Sequence, residues 1–451
     1  MMKSLSLIPH SKFIKMGTLK IKTGLFRSIV LTLLLVSATC IVSAQEFSKY
    51  FEDKTLRVNF ILGGSSDETN IYIQNLNSIN KWYGRRNNLS QLPVEGNAQF
   101  ELCDKKSGKT IYCNSLSTLF QEWQTYPEAK ISKRSFENVI LMPMPKDSAI
   151  LKIVLRDNHR KKVKTLTQDI SPKDILIRQT GINPTPYDVL QQAKDTTHCI
   201  NIAFLAEGYT NEEMGKFLID AKTATDAIFS HEPFKAFKER FNVIAVKSPS
   251  AESGTSVPSK HLWKNTALGS NFDTFYSERY LTTLNLNRVH DWLAGTPYEH
   301  IIILVNTDVY GGGGILNFYN LGSTGHKYYK QVIVHEFGHS FAGLADEYAY
   351  ENEPLELYPT DTEPWEANIT TLVSFKDKWE KLIKKGTPVP TPESKKADVI
   401  KSRIGLFQGA GYNTKGIYRG MQDCRMKTNT YPEFCTVCQK ALEKLIRFYT
   451  E

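Results

Sequence analysis

The strongest constraint on this chain is a short, largely apolar segment, residues 332–348, that contains the pattern H-E-x-x-H. Residues four positions apart share one face of an α-helix, so His335 and His339 can direct both imidazoles at a single metal ion. Glu336 stands beside the first histidine and can reach a metal-bound water without being a ligand. Apolar residues around the pair indicate a buried and therefore rigid helix. This segment predicts a metal site carried by a helix.

The residues after this helix offer a third ligand. Gly343 can end the helix, because glycine adopts a positive φ without strain. Asp346 and Glu347 follow it, and a zinc site with two histidines needs a third protein ligand. A turn at Gly343 can bring one of these carboxylates back towards the metal. The alternative interpretation is a buried helix with two ordinary core histidines.

Residues 1–44 predict a secretory signal peptide. They contain six lysine or arginine residues and no aspartate or glutamate, followed by an apolar run at 29–36 and small residues at 42–44. This order suits a signal peptidase, so we expect cleavage before Gln45 and export of the protein to the periplasm, the cell surface or the medium. The alternative is an uncleaved membrane anchor. No later apolar run is long enough to predict a membrane span in the mature chain.

The charge balance gives no indication of a nucleic-acid partner. The formal net charge of +9 falls to 9 − 6 = +3 once residues 1–44 are removed, which is too small to favour nucleic acid or a membrane surface. The composition, 41% hydrophobic and 23% charged, is that of a globular protein. A length of 451 residues predicts two or three domains.

Six cysteines follow the predicted signal peptide, and an even number in an exported chain permits disulfides. They are Cys103, Cys113, Cys199, Cys424, Cys435 and Cys438. The first two flank residues 105–109, which read as a hairpin turn, so we expect a disulfide between Cys103 and Cys113. Cys424 can pair with either of the two cysteines that follow it. The alternative for these last three is a second zinc site with one more ligand.

The first half predicts short strands and a β-sandwich. The pattern alternates between apolar and polar residues, with turn residues between the strands. We expect strands at 56–62, 69–74, 98–102 and 149–155. An antiparallel β-sandwich domain over residues 45–165 follows from this pattern. Proline and glycine then predict a linker over residues 166–190.

Residues 191–451 alternate strands and helices, which favours an α/β layer with a mostly parallel, twisted sheet. Thr210 and Glu213 form a capping-box pattern that predicts a helix ending near Phe229. Strands are expected at 199–206, 241–246 and 300–305, helices at 279–293, 372–384 and 434–448, and loops at 407–412 and 416–420.

A run of four glycines precedes the H-E-x-x-H helix: Gly311, Gly312, Gly313 and Gly314. Glycine leaves the backbone bare, so another chain can approach it closely. We expect an edge strand that pairs with an extended peptide substrate. The alternative is a mobile loop without a binding role.

Several of these segments resemble the M64 family of zinc peptidases, the IgA peptidase family, within the metzincin group. The resemblance lies in residues 335–339 and 343–348, in the Cys424-Arg425-Met426 segment, in residues 201–209 and in the glycine run. It implies an N-terminal β-sandwich domain and a C-terminal metzincin-like catalytic domain. It therefore covers nearly the whole chain after the predicted signal peptide.

The resemblance also implies roles for individual residues. His335 and His339 would be zinc ligands, Glu336 the catalytic base, and Met426 the methionine of the Met-turn beneath the zinc. The metzincin pattern continues with a glycine and an acid or histidine, but here each stands one place later, at Gly343 and Asp346. Asp346 keeps the Gly-x-x-acid spacing and is favoured as third ligand, with Glu347 as the alternative.

These observations favour a zinc-dependent endopeptidase that hydrolyses peptide bonds of extracellular proteins, with glycoproteins or immunoglobulin as candidate substrates. Glu336 would take the proton of the zinc-bound water. Tyr418 and Tyr431 are candidates to support the oxyanion. The alternative is a non-catalytic surface adhesin or glycan-binding protein on a degenerate peptidase scaffold. Neither function calls for nucleic acid as a partner.

Overall fold

Four β-sheets organise residues 47–350 and 357–451, which are the residues that the structure, a computed structural model, describes. The described residues belong to one unit, which runs from Glu46 to Glu451. The predicted signal peptide lies outside them. The fold combines β and α/β parts, and some of its sheets are mixed.

Two four-stranded sheets come from the first half of the chain. The first has the order β5-β1-β2-β8, with β1 (Phe51–Gly64), β2 (Thr69–Asn80), β5 (Arg134–Pro145) and β8 (Arg178–Thr180). The second has the order β4-β3-β6-β7, with β3 (Ala98–Asp104), β4 (Thr110–Leu116), β6 (Ala149–Arg156) and β7 (Lys162–Ile170). The four strands expected here from alternation are all present. Their neighbours are antiparallel, except that β8 runs parallel to β2.

The largest sheet has six strands in the order β13-β14-β12-β10-β11-β9. They are β9 (Tyr187–Gln191), β10 (Ile200–Glu207), β11 (Phe241–Val246), β12 (His300–Val305), β13 (Gly312–Ile315) and β14 (Tyr319–Ser323). The four central strands are parallel, and the edge strands β9 and β13 are antiparallel to their neighbours. All residues of β10 and β12 are buried, as expected for parallel strands covered on both faces.

One hydrophobic cluster joins the halves of the chain. It contains Leu56 and Leu151 from the four-stranded sheets together with Leu205 and Ile303 from the six-stranded sheet. Residues 166–190, predicted as a linker, include the end of β7, all of β8 and the start of β9. The segment therefore takes part in the sheets that it connects.

Three of the five predicted helices lie where the sequence indicated, and the two predicted at 279–293 and 372–384 differ. The helices that lie wholly within the described residues are α1 (Leu119–Trp123), α2 (Met214–Ile228), α3 (Leu286–Leu293), α4 (Tyr329–Ala342), α5 (Ala397–Ser402) and α6 (Thr436–Thr450). The capping box of Thr210 and Glu213 is formed ahead of α2. Helix α3 begins later than expected, because Thr282 exchanges backbone hydrogen bonds with Asn271. Only a short 3-10 turn, Glu380–Leu382, forms within residues 372–384.

A small fourth sheet, of three strands, replaces the loops expected near the C-terminus. Its order is β15-β17-β16, with β15 (Ile369–Thr370), β16 (Phe407–Ala410) and β17 (Asn413–Arg419). Gly411 and Tyr412 form the turn between β16 and β17, and both have positive φ, 56° and 65°. Two such residues in sequence make the tight turn that suits a hairpin.

The disulfide expected between Cys103 and Cys113 is not formed. Both residues are free and buried, and strands β3 and β4 do place them near a hairpin turn. However, the register pairs Cys103 with Thr110 and Glu101 with Cys113, with an irregularity after Leu102. The two thiols are therefore not opposite each other. Within the described residues, no helix has the length and apolar character needed to cross a membrane.

Candidate metal centre

Helix α4 carries the H-E-x-x-H pattern and packs closely on the six-stranded sheet. Most of its residues are buried. A side chain at Gly322 of β14 would meet Ile333 at 2.8 Å, and one at Gly312 of β13 would meet Val332 at 2.8 Å. The helix can approach the sheet this closely because both strands present glycine to it. The position of α4 therefore depends on the glycines of β13 and β14.

The turn after α4 brings the chain back to the histidines. Gly343 adopts the left-handed conformation, with φ 59° and ψ 33°. Its N–H donates to the carbonyl oxygen of His339 at 2.9 Å, which is the 5→1 bond of an αL C-cap. The N–H of Leu344 donates to the carbonyl oxygen of Gly338 at 3.2 Å. Asn368 then fixes Ala345, accepting from its N–H at 2.8 Å and donating to its carbonyl at 2.9 Å.

This turn places Asp346 against both imidazoles. The Oδ1 atom of Asp346 lies 3.0 Å from Nε2 of His335 and 3.3 Å from Nε2 of His339. The two Nε2 atoms are 3.0 Å apart. Three potential ligand atoms therefore converge on one point, and the three side chains are only 8–15% exposed.

Outer contacts orient each of the three side chains. Nδ1 of His335 lies 2.9 Å from the carbonyl oxygen of Arg425, and Nδ1 of His339 contacts that of Leu344. A carbonyl can only accept, so each Nδ1 carries the proton and each Nε2 can offer a lone pair. The hydroxyl of Tyr412 donates to Oδ2 of Asp346. Such partners fix the direction and basicity of metal ligands.

The charges in this cluster are coupled. Burial acts to raise the pKa of Asp346, but His339 and His335 outweigh it and hold that pKa well below its usual range. Burial disfavours the charged form of His339, yet Asp346 raises its pKa to about 9. The buried carboxylate thus requires a positive charge beside it, which a proton supplies in the metal-free protein and a cation would supply otherwise.

The donor set and its spacing fit a metal ion. Two imidazole nitrogens and one carboxylate oxygen are a common ligand set for catalytic zinc, with the fourth position left for water. Ligands of these types at tetrahedral angles lie about 3.3–3.4 Å apart around zinc, close to the separations of 3.0–3.3 Å found here. The cluster can therefore take a divalent ion without rearrangement of the helix.

Glu347, the alternative third ligand, points elsewhere. It is fully buried, and its Oε1 accepts from Asn368 at 2.9 Å and lies 3.1 Å from Sγ of Cys438. It thus belongs to a second group of potential metal ligands, with Cys424, Cys435 and Cys438. The structure brings Asp346, and not Glu347, to the imidazoles.

Comparison with protein families agrees with this geometry. The family described as IgA Peptidase M64 matches residues 189–401 and 395–446, and its N-terminal domain, described as Peptidase M64 N-terminus, matches residues 46–167. The chain belongs to the M64 peptidase family. Members of this family are metallopeptidases, so the family implies hydrolysis of protein or peptide substrates. A comparison with curated proteins finds no match.

In this M64 chain, Glu336 lies on the side of α4 that faces strand β13. Positions for a side chain at Gly312 and Gly314 would lie 2.8 Å and 3.0 Å from its two carboxylate oxygens. Burial raises the pKa of Glu336, although the imidazoles of His335 and His339 act in the opposite direction. A raised pKa brings a carboxylate closer to the range of an effective general base.

Met426 packs directly against helix α4. It is fully buried, and a side chain at Gly338, between the two histidines, would lie 2.7 Å from its Sδ atom. The backbone carbonyl of Met426 also accepts from the N–H of Glu347 at 2.9 Å. The methionine therefore lies under the turn of helix that carries both imidazoles.

Among the described residues, the structure shows no hydrogen bond from Tyr418 or Tyr431 to His335, His339 or Asp346. Tyr418 is in β17, paired with Gln408 and Thr370. Burial raises the pKa of Tyr431, and the groups that act on it include Cys424 and Cys435. Tyr412 and Tyr348 both contact the carboxylate of Asp346, and sequence reasoning missed the role of Tyr412. The Gly411-Tyr412-Asn413 sequence is a turn signal, but nothing in it indicates the turn's target.

Strand β13 is the edge strand of the six-stranded sheet, and it begins at Gly312 rather than Gly311. Gly312 and Gly314 face helix α4, where a side chain at Gly314 would overlap the backbone oxygen of Glu336. A parallel bridge joins Gly312 to Tyr280 on the other side. Part of the edge expected to bind substrate is thus already occupied by the chain itself.

Proposed function

We propose that this chain is an exported, zinc-dependent endopeptidase that cleaves extracellular proteins, with glycoproteins and immunoglobulin among the candidate substrates. The observation that carries the proposal is the convergence of His335, His339 and Asp346 within 3.0–3.3 Å, beside the carboxylate of Glu336. Membership of the M64 family supports the peptidase class. The basic, apolar and small-residue order of residues 1–44 supports export.

Each residue of the proposed site would have a separate role in hydrolysis. Zinc, when bound, would lower the pKa of its water ligand and polarise the scissile carbonyl. His335, His339 and Asp346 would hold the ion, with Tyr412 keeping the carboxylate of Asp346 in orientation. Glu336 would accept the proton of the attacking water and transfer it to the leaving amine. Strand β13 packs beside this carboxylate, while Glu336 remains partly exposed.

Strand β13 would bind the substrate backbone. Residues 311–314 present no side chains, and an extended peptide can add to a bare sheet edge through main-chain hydrogen bonds. The bridge between Tyr280 and Gly312 covers part of this edge. A substrate would therefore pair with the rest of the edge or displace the segment around Tyr280.

We also propose that residues 45–165 form a β-sandwich domain and that residues 191–451 form a metzincin-like domain. The shared core of the two four-stranded sheets supports the first part. The contact of Met426 with Gly338 supports the second, with Met426 as the Met-turn. A non-catalytic adhesin or glycan-binding protein is not favoured, because the motif is intact and its three donors converge.

The test is the variant Glu336→Gln, which keeps the size of the side chain and removes its basicity. We expect hydrolysis of a peptide library to fall by about 10²–10⁴-fold, with the metal content unchanged. Glu443→Gln, an exposed position on α6, is the matched control and should keep full activity. If Glu336→Gln cleaves as fast as the unmodified protein, the proposed mechanism is wrong.

A further inference from the structure

A second group of potential metal ligands lies beside the first and is not used in the proposed hydrolysis. It consists of Glu347, Cys424, Cys435 and Cys438, whose potential ligand atoms all lie within 4.8 Å of one another. All four residues are at most 2% exposed. The three cysteines are free. This thiolate cluster, as we name these four residues, comes from three separate segments of the chain.

The distances within the thiolate cluster are those of ligands around an ion. Sγ of Cys424 and Sγ of Cys438 are 3.7 Å apart, whereas a disulfide bond is about 2.05 Å long. Two thiolates bound to one zinc at about 2.3 Å and tetrahedral angles are about 3.7–3.8 Å apart. Oε1 of Glu347 lies 3.1 Å from Sγ of Cys438 and 4.0 Å from Sγ of Cys435.

An orphaned polar atom also points to a cation. Oε2 of Glu347 is buried and has no hydrogen-bond partner among the described residues. A buried carboxylate oxygen without a partner is costly, and an ion is one of the few ways to compensate it. The backbone N–H of Cys435 donates to Sγ of Cys424 at 3.1 Å, a contact that stabilises a thiolate. Cys435 is also the N-cap of α6, where the helix favours negative charge.

We propose that Glu347, Cys424, Cys435 and Cys438 bind a structural zinc ion, distinct from the ion of the catalytic site. Three thiolates and one carboxylate form a soft, four-coordinate set, and its burial leaves no position open for substrate. The ion joins the turn after α4, the segment that contains Met426, and the start of α6.

This position makes the second ion a positioning element for the first. Glu347 adjoins Asp346, and Cys424 adjoins Arg425, whose carbonyl holds Nδ1 of His335 at 2.9 Å. The N–H of Glu347 bonds to Met426 at 2.9 Å. The structural ion thus fixes the two backbone segments that aim one imidazole and one carboxylate at the catalytic ion. The proposal itself does not require the protein to be a peptidase.

The test is metal stoichiometry of the full-length purified protein, measured by elemental analysis. We expect two zinc ions per chain, and one in the double variant His335→Ala/His339→Ala. When that double variant is reloaded with cobalt, it should show the intense near-ultraviolet absorption of thiolate-to-cobalt charge transfer. Adding Cys435→Ser should weaken or abolish the band, whereas adding Cys199→Ser, a buried free cysteine outside the cluster, should leave it unchanged.

Three outcomes separate this proposal from the proposed function. If the unmodified protein holds only one zinc and the double histidine variant holds none, the structural ion is overturned. A disulfide between cysteines of the thiolate cluster in the folded protein overturns it as well. If the unmodified protein holds only one zinc and the double histidine variant retains it, the structural ion is supported and the catalytic ion is overturned. If Cys435→Ser fails to fold, the cobalt spectrum of the double histidine variant still decides the question, because a spectrum without the charge-transfer band overturns the proposal.

Discussion

Asp346 and Glu347 are neighbours in the sequence, yet they belong to two different clusters. Asp346 faces two imidazoles, and Glu347 faces three thiols. The backbone explains the division, because Asp346 and Tyr348 both accept hydrogen bonds from the hairpin at Gly411 and Tyr412. An extended chain held in this way directs successive side chains to opposite sides.

The two clusters differ in the features that separate catalytic from structural metal sites. His335, His339 and Asp346, which we call the imidazole cluster, offer two nitrogen ligands and one oxygen ligand. Their side chains are 8–15% exposed, which leaves room for water and substrate. The thiolate cluster offers four donors that are at most 2% exposed. Structural zinc sites are closed by four protein ligands, whereas catalytic sites keep one position open. We therefore expect the two metal ions to exchange with solution at different rates. We also expect loss of one ion to affect activity and loss of the other to affect stability.

The largest effect is expected from selective removal of the more exposed metal. Brief treatment with a small chelator should remove one of two zinc ions and abolish hydrolysis, while the buried ion stays and the protein remains folded. Added zinc should restore activity at one equivalent per chain. Metal analysis, activity and circular dichroism on the same samples measure this. Simultaneous loss of both ions with unfolding would contradict the proposed contrast.

A pair of isosteric variants tests the division between the two carboxylates. Asp346→Asn should lower kcat/KM by more than about 100-fold, since even the partners of metal ligands are worth 10–100-fold. Glu347→Gln keeps an oxygen to accept from Asn368, and we expect a loss of no more than about tenfold. Glu347→Gln should instead weaken binding of the buried ion and lower the Tm of the protein. Equal kinetic losses in the two variants would show that the carboxylates are not separated in function.

The sequence predicted the parts of the centre that depend on local spacing. The four-residue interval of His335 and His339 needs only a helix, and Gly343 ends that helix as expected. The choice between Asp346 and Glu347 could not be predicted, because it depends on Asn368 and on the hairpin at Gly411 and Tyr412. These contacts span 23 to 66 residues, and no local pattern encodes them.

The same limit applies to the fold. Strands with regular alternation, such as Ala149–Arg156, lie where the pattern indicated. The helix expected from residue 372 did not form, because Leu372 has a positive φ of 70° and the backbone N–H of Ser374 bonds to Glu363. The proposed disulfide failed for a similar reason, since an irregularity after Leu102 shifts the register of β3 and β4.

Removal of the Tyr412 hydroxyl tests whether that hydroxyl supports the cluster of His335, His339 and Asp346. Tyr412→Phe removes the hydrogen bond from Tyr412 to Oδ2 of Asp346, and we expect metal affinity or kcat/KM to fall by about 10-fold. Tyr358→Phe is the matched control, because that hydroxyl bonds to Glu366 at 3.4 Å and should leave both quantities within about twofold. Affinity is measured by competition with a chromophoric chelator. An unchanged affinity and kcat/KM in Tyr412→Phe would exclude a supporting role for the hydroxyl.

The smallest effect is expected from a change in the packing of helix α4 against strand β13, which involves no bound ligand. In Gly314→Ala, the new methyl group would overlap the backbone oxygen of Glu336 and lie 2.9 Å from Cβ of His339. Neither atom can rotate away, so α4 must move from β13 at a cost of about 1–3 kcal/mol in stability. Gly215→Ala on α2 meets nothing within 4 Å and should gain about 0.5–1 kcal/mol from helix propensity. Opposite shifts of the two variants in urea unfolding would show that the Gly314 effect is steric. Equal shifts would show that strand β13 does not need glycine beside Glu336.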